Sequence, residues 1–131
     1  MPLTRINVPG HLDMAKVRAL ARGVQRALVQ TCNVPPDDLF QLVVRLDTEQ
    51  MILDPHFGGV ERTADACVIE IMFLHGRTDD QKRALFRCIA QNSQAAGVRQ
   101  DDVVVALSEN SRCDWSLGRG LAYADLAKPQ F

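Results

Sequence analysis

The sequence predicts an α/β (α+β) fold in which duplicated β-α-β units form a four-stranded sheet with two helices on one face. Three observations predict it. Ile6, Asp13 and Arg18-Ala19-Leu20 recur at one constant offset as Ile71, Thr78 and Arg83-Ala84-Leu85. Val34 and Asp37-Asp38 recur as Val98 and Asp101-Asp102 at an offset one shorter, implying one residue lost from the second helix. In each half, an apolar strand-like run leads into an amphipathic helix and a second apolar run follows it. The repeat covers about 2–46 and 67–107, with 108–131 as a tail, and the whole of 1–131 reads as one domain. Within each unit the parallel crossover is expected to be right-handed. With both helices on one face, the other face of the sheet needs a cover, and association of copies is the simplest one.

Taken in order, Leu3, Ile6 and Val8 mark a first strand, and Pro9-Gly10-His11-Leu12 a turn. Asp13 is a helix N-cap, after which Val17, Leu20, Ala21, Val24, Leu28 and Thr31 keep a three- and four-residue spacing. Asn33 ends that helix, since asparagine tolerates the left-handed conformation of a C-terminal cap. A turn through Pro35-Pro36 leads to a strand from Leu39 to about Leu46, with Phe40 expected in the core. Residues 47–66, with Asp54-Pro55 and Gly58-Gly59, read as a long excursion or hairpin. Cys67–Leu74 is a nearly continuous apolar strand. Thr78 and Gln81 then form a capping box, opening a helix that buries Leu85, Cys88, Ile89 and Ala96 and stops at Gly97. Val103–Leu107 is the last strand, and the tail carries Trp115, Gly118, Gly120 and Tyr123 without a long element.

Composition excludes several classes. Of the 131 residues 47% are hydrophobic and 24% charged, ordinary for a soluble globular chain. A formal net charge of -1 gives no reason to expect nucleic acid or an acidic membrane surface as partner. No apolar run is long enough to span a bilayer, and nothing resembles a signal peptide. Cys32, Cys67, Cys88 and Cys113 are far apart, with no CxxC pair and no histidine at metal-ligand spacing. They read as reduced, mostly buried thiols of a cytoplasmic protein, and no metal site is expected.

Pro2 is a candidate for chemistry only together with the rest of the chain, since many proteins begin Met-Pro and make no use of it. Initiator methionine is normally removed before so small a residue, which makes the terminal amine a ring secondary amine. A strand starting there would hold that amine in place, whereas most termini fray. The matching residues are Pro2; Val34-Pro35-x-x-Asp38 with Gln41; Arg62-Thr63; Gly76-Arg77-Thr78 with Gln81-Lys82; and Asp101-Asp102-Val103. They continue in the tail as Val105-Ala106-Leu107-x-Glu109-Asn110-Ser111 and Asp114-Trp115-Ser116-x-Gly118-Arg119-Gly120. In this ordered set the chain resembles the tautomerase superfamily, nearest to its malonate semialdehyde decarboxylase-like group. The resemblance implies the tautomerase fold, a homotrimer whose sheets line an inner barrel, and a cofactor-independent active site near each subunit interface. One departure is His75-Gly76-Arg77, where the decarboxylase has two arginines one residue apart. Imidazole offers neither the permanent charge nor the bidentate fork of guanidinium, which puts decarboxylation in doubt.

The resemblance implies catalytic roles for Pro2, Arg77 and Asp38; His75, Trp115 and Leu117 are candidate substrate contacts. An α-amino group titrates at about 7.7–8, and burial or a nearby cation such as Arg77 lowers that. A neutral Pro2 amine is a general base, suiting keto–enol tautomerisation of an enol or 2-oxo acid; a charged one is an acid, suiting hydration or decarboxylation. Arg77, just before a helix N-terminus, would clamp a carboxylate or an enolate oxygen of a small carboxylated substrate. Asp38 would polarise water or an aldehyde, or orient the amine; the alternative is a solvated turn carboxylate like Asp102. His75 is a binding or proton-transfer residue, or a satisfied structural histidine. Trp115 and Leu117 form an apolar wall, or pack the core. Three functions compete: a tautomerase, a malonate semialdehyde decarboxylase- or hydratase-like lyase, and a trimeric binding protein with an inactive pocket.

Overall fold

In the computed structural model, which describes residues 1–126, four strands and two long helices follow one another as β1 (Pro2–Pro9), α1 (Met14–Cys32), β2 (Gln41–Leu46), β3 (Cys67–Leu74), α2 (Asp79–Ala95) and β4 (Val103–Asn110). The last residues of the expected tail, 127–131, lie outside the described residues. The sheet order is β2-β1-β3-β4. β1 pairs with β2 in parallel and β3 with β4 in parallel, while the two units meet through antiparallel β1 and β3. This is the expected four-stranded sheet, and it sets Pro2 opposite Phe73.

Alternation along the strands decides which face is covered. Pro2, Thr4, Ile6 and Val8 of β1 are buried, as are Cys67, Ile69, Ile71 and Phe73 of β3. Of these, Ile6, Val8, Cys67, Ile69, Ile71 and Phe73 form one core with Val17, Leu20, Val24 and Leu28 of α1 and Leu85 and Ile89 of α2. The helices touch each other closely at Gly23, where an added Cβ would come within 2.9 Å of the Asn92 Cβ. Asn92 Nδ2 donates to the Gly23 carbonyl at 2.8 Å, so this contact needs both the missing side chain and the amide. On the opposite face, Leu3, Arg5, Leu42, Glu70, Met72 and Ser108 line an open concavity of about 260 Å³. Leu42 and Met72 stay exposed there, as a sheet with one-sided helices requires.

The caps are as read from sequence. Asp13 accepts from the Ala15 N–H, Asn33 is left-handed at φ 55°, and Thr78 and Gln81 form a reciprocal capping box. Other expectations need correction. Phe40 is 44% exposed, because it precedes β2 at the edge of the sheet. In α2 the buried position near the C-terminus is Ser93, whose hydroxyl donates to the Ile89 carbonyl, and Ala96 is only partly buried. β4 runs to Asn110, three residues beyond Leu107, because pairing with β3 continues to Leu74. Cys113 is exposed rather than buried. Residues 47–66 form no paired strands but a loop with a short helical turn at Thr48–Gln50. The loop is tied down at its end by buried Asp102, which accepts from the Thr63 N–H and Oγ1 at 2.6 and 2.7 Å. Among the described residues no helix is long and apolar enough to cross a membrane.

Three carboxyl groups are held below their ordinary values of 3.8 to 4.5. Backbone N–H groups of His56 and Phe57 do this for Asp54, the Lys82 ammonium for Glu109, and the Ser111 N–H and hydroxyl for Asp114. A carboxyl group depressed by folding contributes stability above its unfolded pKa and loses it as pH falls through the folded one. The melting temperature is therefore expected to fall as pH drops below about 4. Asp114→Asn and Glu109→Gln should flatten that decline, and an acid series of thermal melts checks it.

Candidate active site

Pro2 opens β1 and is itself buried, so strand pairing fixes the start of the chain instead of leaving it to fray. The terminal amine of Met1 lies 3.0 Å from Asp38 Oδ2, with both side chains largely buried. Asp38 sits in the turn between α1 and β2. Its N–H donates to the Pro35 carbonyl at 3.0 Å, and Gln25 of α1 donates to its own carbonyl at 3.1 Å. Helix and turn thus aim its carboxylate at the chain start. The second oxygen, Oδ1, is buried and has no protein partner among the described residues. A buried acceptor without a donor is costly, and such atoms concentrate where a ligand or water completes the set.

Arg77 follows β3, between Gly76 (φ 121°) and the Thr78 cap of α2. Its guanidinium lies over the Phe73 ring, 4.9 Å from the centroid. Nη1 donates to the Leu74 carbonyl at 2.9 Å and Nη2 to the Cys32 carbonyl at 3.2 Å. Cys32 is the last residue of α1, whose final turn contains no basic residue, so Arg77 supplies the cation that this helix end favours. Of the five N–H donors of guanidinium these bonds use two, leaving three. Phe73 thus pairs across the sheet with Pro2 and carries Arg77 over its ring. The sequence reading did not single out Phe73. Its signal was the alternation within 67–74, which puts it on the same face as Ile69 and Ile71.

His75 and Trp115 meet elsewhere, at Asn110. The His75 N–H donates to the Asn110 carbonyl at 2.8 Å, and Trp115 Nε1 donates to Asn110 Oδ1 at 2.6 Å. The His75 side chain is exposed and Trp115 is partly buried. Leu117 is 42% exposed, so within one chain it is not a core residue. Lys82 of α2 pairs with Glu109 at 2.6 Å, closing this corner. β4 is separated from β1 only by β3, so the two groups occupy the same end of the sheet. A cavity of about 300 Å³ lies at the other end, lined by Pro9, Met51, Leu53 and Arg62 among others, and touches none of the candidate site residues. Among the described residues no cluster of His, Cys, Asp or Glu could hold a metal ion.

Residues 38–118 match a family profile described as Tautomerase enzyme. The chain is 33% identical over 123 residues to a probable tautomerase, YusQ, of Bacillus subtilis (strain 168), covering 93% of this chain and 97% of the relative. Among solved structures it is similar to a malonate semialdehyde decarboxylase inhibited by 3-bromopropiolate, with a TM-score of 0.89 and 32% identity over 97% of this chain and 99% of the other. It shares its fold with a fused 4-OT wild-type symmetric trimer at a TM-score of 0.76 and 23% identity, over 93% and 96% of the two chains. With this fold, a proline-led first strand and these likenesses, the chain belongs to the tautomerase family of enzymes.

Proposed function

We propose that this enzyme is a cofactor-independent tautomerase acting on a carboxylated enol or 2-oxo acid. Pro2, freed by removal of Met1, serves as acid/base; Asp38 is its carboxylate partner; Arg77 binds the substrate's anionic group. The observation that carries the reading is that Pro2 opens β1 buried and paired opposite Phe73, so that removal of Met1, whose own amine lies 3.0 Å from Asp38, would leave the Pro2 amine at a fixed position. With Met1 attached, the Pro2 nitrogen is an amide with no basic lone pair. Without it, the nitrogen is an amine at the start of a fixed strand. It removes a proton from one end of the keto–enol system and returns it at the other, so no atom is gained or lost. His75 lines the approach, and Trp115 and Leu117 form the apolar wall that excludes water.

The open sheet face and the exposed Leu42 and Met72 support a homotrimer, which would let the wall of one copy close the site of the next. Sedimentation revealing a stable monomer at micromolar concentration would overturn that assembly. The cysteines, none of them paired, suit a cytoplasmic enzyme.

A second reading, a lyase acting on malonate semialdehyde, is favoured by the likeness to the decarboxylase. His75 in place of an arginine argues against it. The deciding experiment pairs intact mass of the natively expressed protein with product analysis. Chain beginning at Pro2 is expected to ketonise phenylenolpyruvate with all carbon retained. Carbon dioxide release from malonate semialdehyde without ketonisation would reverse the order of the two readings; neither activity in such a chain would remove both.

A further inference from the structure

We propose that Asn110 is a positioning residue for the site, orienting the Trp115 ring and joining it to the turn that carries His75 and Arg77; this rests on the acid/base reading above. Asn110 ends β4, and its two carbonyl groups serve two separate segments. The backbone carbonyl accepts the His75 N–H at 2.8 Å, and the side-chain Oδ1 accepts the Trp115 indole N–H at 2.6 Å. The neighbouring residue adds a second tie, because the Glu109 carboxylate accepts from Lys82 Nζ at 2.6 Å, joining the end of β4 to α2. Indole is a donor only, so a partly buried Trp115 depends on that one acceptor for its polar atom.

The backbone of Trp115 is held without Asn110. Its N–H donates to the Arg112 carbonyl at 3.4 Å, and its carbonyl accepts the Tyr123 N–H at 2.8 Å. A bridge between Ser116 and Ala122 closes the loop beyond it. Upstream, Ser111 and Asp114 cap their own helical turn. The segment after β4 thus keeps its path whatever residue 110 carries. What the Asn110 side chain decides is the direction of the ring. A wall that faces the substrate with its apolar edge must turn its N–H away, and Asn110 Oδ1 is where that N–H goes.

Trp115 is the single tryptophan of the chain, so its fluorescence reports the ring alone. Asn110→Leu is expected to red-shift the emission, increase quenching by iodide, and raise KM for phenylenolpyruvate about tenfold, the scale of one lost hydrogen bond, with a smaller effect on kcat. Asn110→Asp keeps the acceptor and should restore the wild-type emission. In a Trp115→Phe background, which has no N–H to hold, Asn110→Leu should raise KM no further. Wild-type emission and KM in Asn110→Leu would overturn the proposal, as would additive effects in the double variant. Should Asn110→Leu fail to fold, the emission of Asn110→Asp decides, a red shift there counting against the assignment. A wild-type chain beginning at Pro2 but lacking turnover defeats the acid/base reading alone, and the emission measurements still decide whether Asn110 orients Trp115.

Discussion

Protein that keeps Met1 is expected to show no tautomerase turnover above background, while the same protein beginning at Pro2 is active. General acid–base catalysis contributes about 10²–10⁴-fold, and an amide nitrogen forfeits all of it. The sheet should be common to both forms, but removal of Met1 also takes away a largely buried side chain and the ion pair of its amine with Asp38, so the melting temperatures of the two forms must be compared as well. Pro2→Ala leaves a primary amine and should lose much of the rate without losing all. Its melting temperature must be compared, because Pro2 is buried and alanine fills less of its space. For mature protein, activity should rise with pH as the amine loses its proton. Full activity in chains shown by mass spectrometry to retain Met1 would end the amine mechanism. The base would then have to be sought at Asp38 or His75.

Much of the fold was legible because its signals are local. The Asp13 and Thr78 caps act within three residues of themselves, and the left-handed Asn33 closes α1 by its own backbone preference. The loop over 47–66 was illegible for the opposite reason. Its ties are distant in sequence: Thr63 to Asp102, the Arg99 guanidinium to the Glu61 carbonyl, and Glu61 N–H to Asp101. The length of β4 likewise depends on β3, a partner far back in the chain. Phe40 was assigned to the core on hydrophobicity alone, and strand order left it just before the edge strand β2, where it is half-exposed. At the site, the residue types with their own chemistry stood out: an N-terminal proline, a carboxylate, an arginine. Phe73 and Asn110 did not, because an aromatic ring or an amide takes its role from what pairing brings to it. Leu117, proposed for the apolar wall, shows the same limit from the other side, since within one chain it stays exposed.

Arg77→Ala is expected to cost about 10²-fold in kcat/KM on carboxylated enols, the scale of one lost donor to a developing anion. Turnover of a neutral enol should fall less. A lost carboxylate contact appears in KM, whereas a lost enolate contact lowers kcat too. The geometry adds a complication that activity alone would misread. Arg77 also braces the end of α1 through the Cys32 carbonyl, holds the Leu74 carbonyl, and stacks over Phe73. Removing two such bonds and the ring contact should destabilise the fold by about 1–3 kcal/mol. Arg77→Lys separates the two roles. Lysine keeps the positive charge, but its single ammonium cannot span both carbonyls and lie flat on the ring. It should therefore recover part of the preference for anionic substrates while recovering little of the melting temperature. If Arg77→Ala and Arg77→Lys lose stability equally but turn over anionic and neutral enols in the wild-type ratio, Arg77 is a brace only. The cation that selects carboxylated substrates must then come from elsewhere in the assembly.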